Sequence, residues 1–179
     1  MSSTSTSPNR ALHSLRELTV FAMLGAITMG AQVLMAPLPN IEPVSLFLIS
    51  FTLVYGFKAL YPCYVFVLLE GLVYGFGLWF FNYLYIWGIL ILLVWLLRKN
   101  TSSLLWAAVS AGYGLFFGAL CAIPYFFIGG WEMGFSYWVA GIPFDLLHCA
   151  GNGVIALFLI KPLTALLRRL SSGVGMSAI

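Results

Sequence analysis

Residues 61–99 read YPCYVFVLLEGLVYGFGLWFFNYLYIWGILILLVWLLRK, and from Tyr61 to Leu97 the one charged residue is Glu70. As a single helix rising 1.5 Å per residue, this stretch would be roughly 55 Å long, nearly twice the ~30 Å hydrocarbon core of a bilayer. It must therefore hold two membrane-length helices and a reversal, which the reading places at Trp79 to Asn82. Outward from there, apolar runs recur at about 18–36, 43–57, 61–78, 80–97, 104–128 and 134–160. Six runs predict an all-α integral membrane protein with six transmembrane helices. A polar tail (1–16) precedes the membrane domain (17–170), and a short tail (171–179) follows it. Pro37, Pro39 and Pro43 make the APLPNIEP segment before the second run an irregular loop.

Composition agrees. Of 179 residues, 62% are hydrophobic and 7% charged, against about 25% charged in a soluble domain. This excludes a water-soluble globule, a disordered chain and a basic nucleic-acid binder. The first apolar run, about 20 residues, exceeds the 7 to 15 of a cleavable signal and reads as a retained span. Cys63, Cys121 and Cys149 lie apart in apolar surroundings, so buried thiols are expected, with no disulfide framework and no metal site.

The cations fix the orientation. Arg10, Arg16, Lys58, Arg98, Lys99, Lys161, Arg168 and Arg169 all fall on one side of a six-span path, and the opposite loops carry only Glu42 and Glu132. A one-sided split of this kind arises by chance about once in a hundred, so the positive-inside rule places both termini in the cytoplasm. No internal repeat suggests an inverted-repeat transporter.

Charged groups inside a bilayer are costly and usually functional. Glu70 lies midway along the third run, and in GIPFDLLHCAGN (141–152) Asp145, His148 and Asn152 share one helix face at i, i+3 and i+7. Asp145 and His148 are expected to form a hydrogen-bonded unit in a polar niche opened by Pro143. Aromatic residues crowd the outer turns, where belt residues and ligand-stacking residues both occur. The expected substrate contacts are Asn40, Glu42, Trp79, Asn82, Tyr83, Trp87, Tyr125, Trp138, Asp145 and His148. In the first helix Ala22, Ala26 and Gly30, with Gly25 beside them, form a smooth stripe that admits close approach of another helix, inside the chain or on a partner.

Six spans, cytoplasmic termini, the AxxxA stripe (Ala22, Ala26) and a proline-rich outer loop after it resemble the substrate-binding S component of an energy-coupling factor vitamin transporter. LPNIEPV (38–44), EGLVYGFGLWFFNYLYIW (70–87) and GIPFDLLHCAGNGVIALFLIKPL (141–163) are similar to B-vitamin-type members, and the likeness runs from about Leu15 to Arg169. The resemblance implies a multi-pass protein of the prokaryotic plasma membrane that binds a vitamin or precursor near the outer face. It implies docking, through Ala22 and Ala26, on a transmembrane coupling subunit with two cytosolic ATPases. It also implies a gating role for the loop 37–43. No GxxxxGK[ST] phosphate loop occurs, so ATP is expected to be used by the partners, with no cofactor held by this chain. With no Lys or Arg on the outer side, a strongly anionic substrate fits poorly. The broad aromatic outer face suggests a corrinoid such as cobalamin, with pyridoxine or another ring vitamin as the alternative. Other classes are an intramembrane enzyme using Asp145 and His148 as acid and base, and a purely structural assembly subunit.

Overall fold

The computed structural model describes residues 8–38 and 41–176, with side chains from Leu15 onward. Every regular element among them is helical: α1 (Pro8–Met35), α2 (Val44–Tyr55), a 3-10 turn (Gly56–Ala59), α3 (Leu60–Tyr74), α4 (Leu78–Leu97), α5 (Ser103–Leu115) and α6 (Phe117–Val174). Helix extends past both expected tail boundaries, beginning at Pro8 and ending at Val174. Four stretches, Leu15–Met35, Val44–Tyr74, Leu78–Leu97 and Ser103–Val174, are long and apolar enough to cross a membrane. Their outward side chains are apolar too: Leu72, Leu96 and Phe158 are each more than 60% exposed. A surface of this kind suits a lipid environment.

Two of the four stretches double back. Glu17, early in α1, reaches Lys58 in the 3-10 turn at 2.5 Å. Gln32 near the end of α1 shares a cavity with Glu42 before α2, Glu70 in α3 and Trp79 at the start of α4. Thus α1 and α3 run toward the cavity, α2 and α4 run away from it, and the chain reverses at Gly56–Ala59. The second reversal lies inside α6, where Gly129 and Gly130 leave helical geometry and Gly130 takes φ 72°. Only glycine visits that region without strain. Residues 131–174 then return along α5 and α2: Asn152 Nδ2 donates to Ser45 Oγ at 3.0 Å, and Ser171 Oγ to the Tyr55 hydroxyl at 2.8 Å.

The α3–α4 reversal differs from expectation. It lies at Gly75–Gly77, with Gly75 at φ 85°, and α4 already begins at Leu78. The GFG tripeptide supplies the backbone freedom, and the ring of Phe76 folds back over Gly71, where a Cβ would collide with it. Trp79 to Asn82, bulky and without glycine, continue the helix instead.

At the centre stands α2, in which every residue but Phe47 and Leu53 is buried. Twelve residues span about 18 Å. α4, α5 and α6 pack around this short helix and keep it from solvent. Beside it runs an aromatic column, Phe66, Trp87, Phe117 and the imidazole of His148, with successive ring centroids 5.0 to 6.2 Å apart. The tyrosines bordering this core donate to carbonyls of other segments: Tyr64 to Leu84, Tyr85 to Leu120 and Tyr113 to Ile86, at 2.6 to 2.8 Å. Tyr113 thereby enters the core with its hydroxyl satisfied, while Tyr85 is half-buried and Tyr64 exposed. Cys63, Cys121 and Cys149 are free thiols, the first two buried.

Candidate functional site

The cavity where α1, α3, α4 and the loop before α2 converge encloses about 300 Å³. Gln32 and Met35 enter from α1, Ile41 and Glu42 from the loop, Glu70 and Tyr74 from α3, and Trp79 and Tyr83 from α4. Helix periodicity brings them together. Gln32 and Met35 stand at i and i+3, Glu70 and Tyr74 at i and i+4, and Trp79 and Tyr83 at i and i+4, so each helix presents one stripe to the same space. The Trp79 and Tyr83 rings meet edge to face with centroids 5.3 Å apart, giving the cavity an aromatic wall.

The polar lining is acidic, with two carboxylates and no Lys or Arg. Glu70 is 3% exposed, and among the described residues its Oε1 has no hydrogen-bond partner; the Gln32 Oε1 is likewise buried and unpartnered among them. Buried polar atoms are nearly always satisfied, so two orphaned acceptors on one cavity call for donors. Glu42 differs: its Oε1 lies 3.1 Å from His148 Nε2, a close contact that lacks hydrogen-bond alignment. His148 thus braces Glu42 from behind.

Of the ten expected substrate contacts, Glu42, Trp79 and Tyr83 line this cavity. Asn40 lies outside the described residues. Asn82 is tied down elsewhere, donating to the Cys121 carbonyl at 3.3 Å and accepting from Tyr85 at 3.4 Å. Trp87 is fully buried in the aromatic column. Tyr125 stacks on Tyr137 at 4.0 Å beside the Gly129–Gly130 reversal, and Trp138 leans on Phe135.

The expected Asp145–His148 unit does not form. Asp145 Oδ1 accepts from the backbone N–H of Gly118 at 2.9 Å. The helical path breaks between α5 and α6 at Phe116, which leaves Gly118 among the first-turn donors of α6 that lack a helical acceptor. Asp145 caps that turn from across the bundle, and the missing side chain at Gly118 lets the carboxylate reach the backbone. Asp145, His148 and Asn152 do share an inward face, all at most 5% exposed. They serve three different elements, α6's first turn, Glu42 and Ser45, which leaves no acid and base converging on one point.

Sequence reasoning left Gln32 and Tyr74 out, and it turned Glu70 into the bundle as a candidate pocket residue without counting it among the substrate contacts. The available signal was Gln32, the chain's single glutamine, placed within an apolar run. Along α1, Ala22, Ala26 and Gly30 are exposed, whereas Gly25 faces α3, where a Cβ would lie 2.7 Å from the Pro62 carbonyl oxygen and Val65. Among the described residues no group of three His, Cys, Asp or Glu side chains is arranged to hold a metal ion. No family model, curated protein or solved structure matches this chain.

Proposed function

We propose that this chain is the substrate-binding subunit of an energy-coupling-factor-type importer. In this reading it crosses the plasma membrane six times, with both termini on the cytoplasmic side where its Lys and Arg residues lie. The observation that carries it is the acidic cavity on the opposite side: Glu70 and Gln32 offer unpartnered acceptors, Glu42 a second carboxylate, and Trp79 and Tyr83 an apolar wall. Such a lining selects a flat ring bearing a protonated amine or several hydrogen-bond donors. At about 300 Å³ the cavity suits a single-ring vitamin of the pyridoxine size class. A corrinoid, a macrocycle of four linked pyrrole-type rings, exceeds this volume, so we favour the smaller ligand.

The exposed Ala22, Ala26 and Gly30 face leaves α1 open to a coupling subunit. ATP hydrolysis belongs to that partner's ATPases, and this chain supplies binding alone. The test is mass spectrometry of small molecules that co-purify with the detergent-solubilised chain, followed by titration calorimetry with the compound found. A basic or donor-rich ring compound, lost on Glu70→Gln, is expected. No co-purifying ligand, together with no heat from any ring vitamin, would overturn the proposal. A Cys introduced at Glu132 should react with a membrane-impermeant thiol reagent from outside the cell, and reaction only from the cytoplasm would reverse the topology.

A further inference from the structure

A second cavity, of about 310 Å³, lies at the opposite end of the bundle, between the α4–α5 connection and the last third of α6. Arg98, Lys161 and Arg168 line it together with Asn100, Thr101 and Thr164. No carboxylate does, and among the described residues the only Lys or Arg in an ion pair is Lys58, with Glu17. Each guanidinium spends one N–H on a backbone carbonyl: Arg98 Nη1 donates to Trp95 at 2.9 Å and Arg168 Nη2 to Leu53 at 3.4 Å. The Arg98 guanidinium also lies 4.2 Å from the centre of the Trp95 ring. These contacts fix both groups while leaving most of their five donors uncommitted.

Membrane orientation requires cations at this end of the helices, but it does not require them to converge. Here residues from the α4–α5 connection and from positions 161, 164 and 168, spread over about two turns of α6, meet around one hollow lined with amide and hydroxyl groups. Exposed leucines neighbour the lining residues along the chain: Leu96 is 62% exposed, Leu104 70% and Leu166 51%, an apolar surface suited to lipid. A ligand seated there therefore has an anionic head at the cations and apolar chains along these leucines. We infer that the inner cavity binds the phosphodiester headgroup of an anionic phospholipid, with Arg98, Lys161 and Arg168 as the phosphate ligands. This site is separate from the outer cavity and does not rest on the function proposed for it.

Native mass spectrometry of the full chain in detergent, titrated with phosphatidylglycerol or with phosphatidylcholine of the same acyl chains, tests the inference. The parent should retain one phosphatidylglycerol at concentrations at least tenfold below those needed for phosphatidylcholine. Lys161→Gln, the least disruptive change because no hydrogen bond or ion pair holds that ammonium, should weaken retention several-fold. Arg98→Gln/Lys161→Gln/Arg168→Gln should abolish the preference. Lys99→Gln/Arg169→Gln, which removes charge at the same end but outside the cavity, should preserve it. Equal retention of the two lipids overturns the inference, as does an unchanged preference in Lys161→Gln. Displacement of phosphatidylglycerol by millimolar inorganic phosphate or glycerol phosphate would assign the site to a soluble phosphate and overturn the lipid assignment.

Discussion

The two ends of this bundle hold cavities of nearly equal size, about 300 and 310 Å³, with opposite chemistry. At one end Glu42 and Glu70 stand with no cation in the lining; at the other Arg98, Lys161 and Arg168 stand with no carboxylate. They also differ in cost. Lys161 and Arg168 are exposed, and long basic side chains of this kind keep their charged heads in reach of water. Glu70 is buried to 3% and cannot. A cation at a helix end is accounted for by topology. Asp145 also keeps one buried oxygen unpartnered, but its other oxygen caps the first turn of α6; among the described residues Glu70 makes no such bond, and it lines a cavity. This asymmetry makes the acidic cavity the place to look for a ligand.

The comparison breaks most completely at Glu70. Glu70→Gln combined with Glu42→Gln should lower ligand affinity at least a hundredfold, about 2.7 kcal/mol, while leaving lipid retention at the inner end unchanged. Thermal stability should hold or rise, because an unpaired buried carboxylate is a cost that the amide relieves. Calorimetry on a thermally characterised double variant checks both parts. Retained affinity would make the outer carboxylates structural.

Next in size is an effect on transport. Ala26→Trp should reduce uptake by cells to less than a tenth while the purified protein binds ligand as the parent does, since the indole projects from the exposed face of α1, away from the cavity. Gly25→Trp, on the face of α1 turned to α3, should instead prevent stable folding, because even a Cβ there lies 2.7 Å from Val65 and the Pro62 carbonyl. Paired uptake and binding assays separate the two faces. Normal uptake by Ala26→Trp would remove the stripe from partner docking.

How much of this was legible in the sequence depends on the kind of signal. Hydropathy located the apolar helices because length and polarity suffice for that, and the reversal near Gly129–Gly130 fell in the gap left between two apolar runs. Gly75–Gly77 was passed over in favour of Trp79 because hydropathy is blind to backbone sign, and a positive φ at Gly75 decides the turn. The break at Phe116 lies inside an unbroken apolar run and shows only in three dimensions. For the site, periodicity correctly placed Asp145, His148 and Asn152 on an inward face, but it carries no information about which element each one meets. Glu42 and His148 are 106 positions apart in the chain, and no local pattern connects them. Gln32 and Tyr74 were missed because each is one polar group in an apolar stretch, distinguished only by the depth at which three helices converge.

Asp145 sharpens the comparison by showing a buried carboxylate with a structural task. Asp145→Leu removes the acceptor for Gly118 N–H and should cost about 1 to 3 kcal/mol of stability, the penalty for an orphaned buried donor. Ligand affinity should stay within about threefold of the parent, because Asp145 does not line the outer cavity. Asp145→Asn keeps an acceptor oxygen and should recover most of the loss. Thermal unfolding in detergent alongside calorimetry distinguishes the outcomes, and an affinity loss in Asp145→Asn at unchanged stability would move Asp145 into the binding site.

The smallest expected effect concerns Gln32, which offers the cavity an acceptor without charge. If the ligand donates to the Gln32 Oε1, Gln32→Leu removes one neutral hydrogen bond, worth about 0.5 to 1.5 kcal/mol, or roughly two- to twelvefold in affinity. That loss should not depend on salt, since no charge is altered, whereas the Glu42→Gln/Glu70→Gln loss removes a charge-assisted contact. Stability should rise slightly, because leucine at this position leaves no buried oxygen unpartnered. Gln32→Glu is the sharper variant: a third carboxylate beside Glu42 and Glu70 should tighten a cationic ligand and weaken a neutral one. Calorimetric titration of both variants at low and high ionic strength measures this. Tighter binding in Gln32→Glu fixes the ligand as a cation, and weaker binding in both variants makes it a neutral donor.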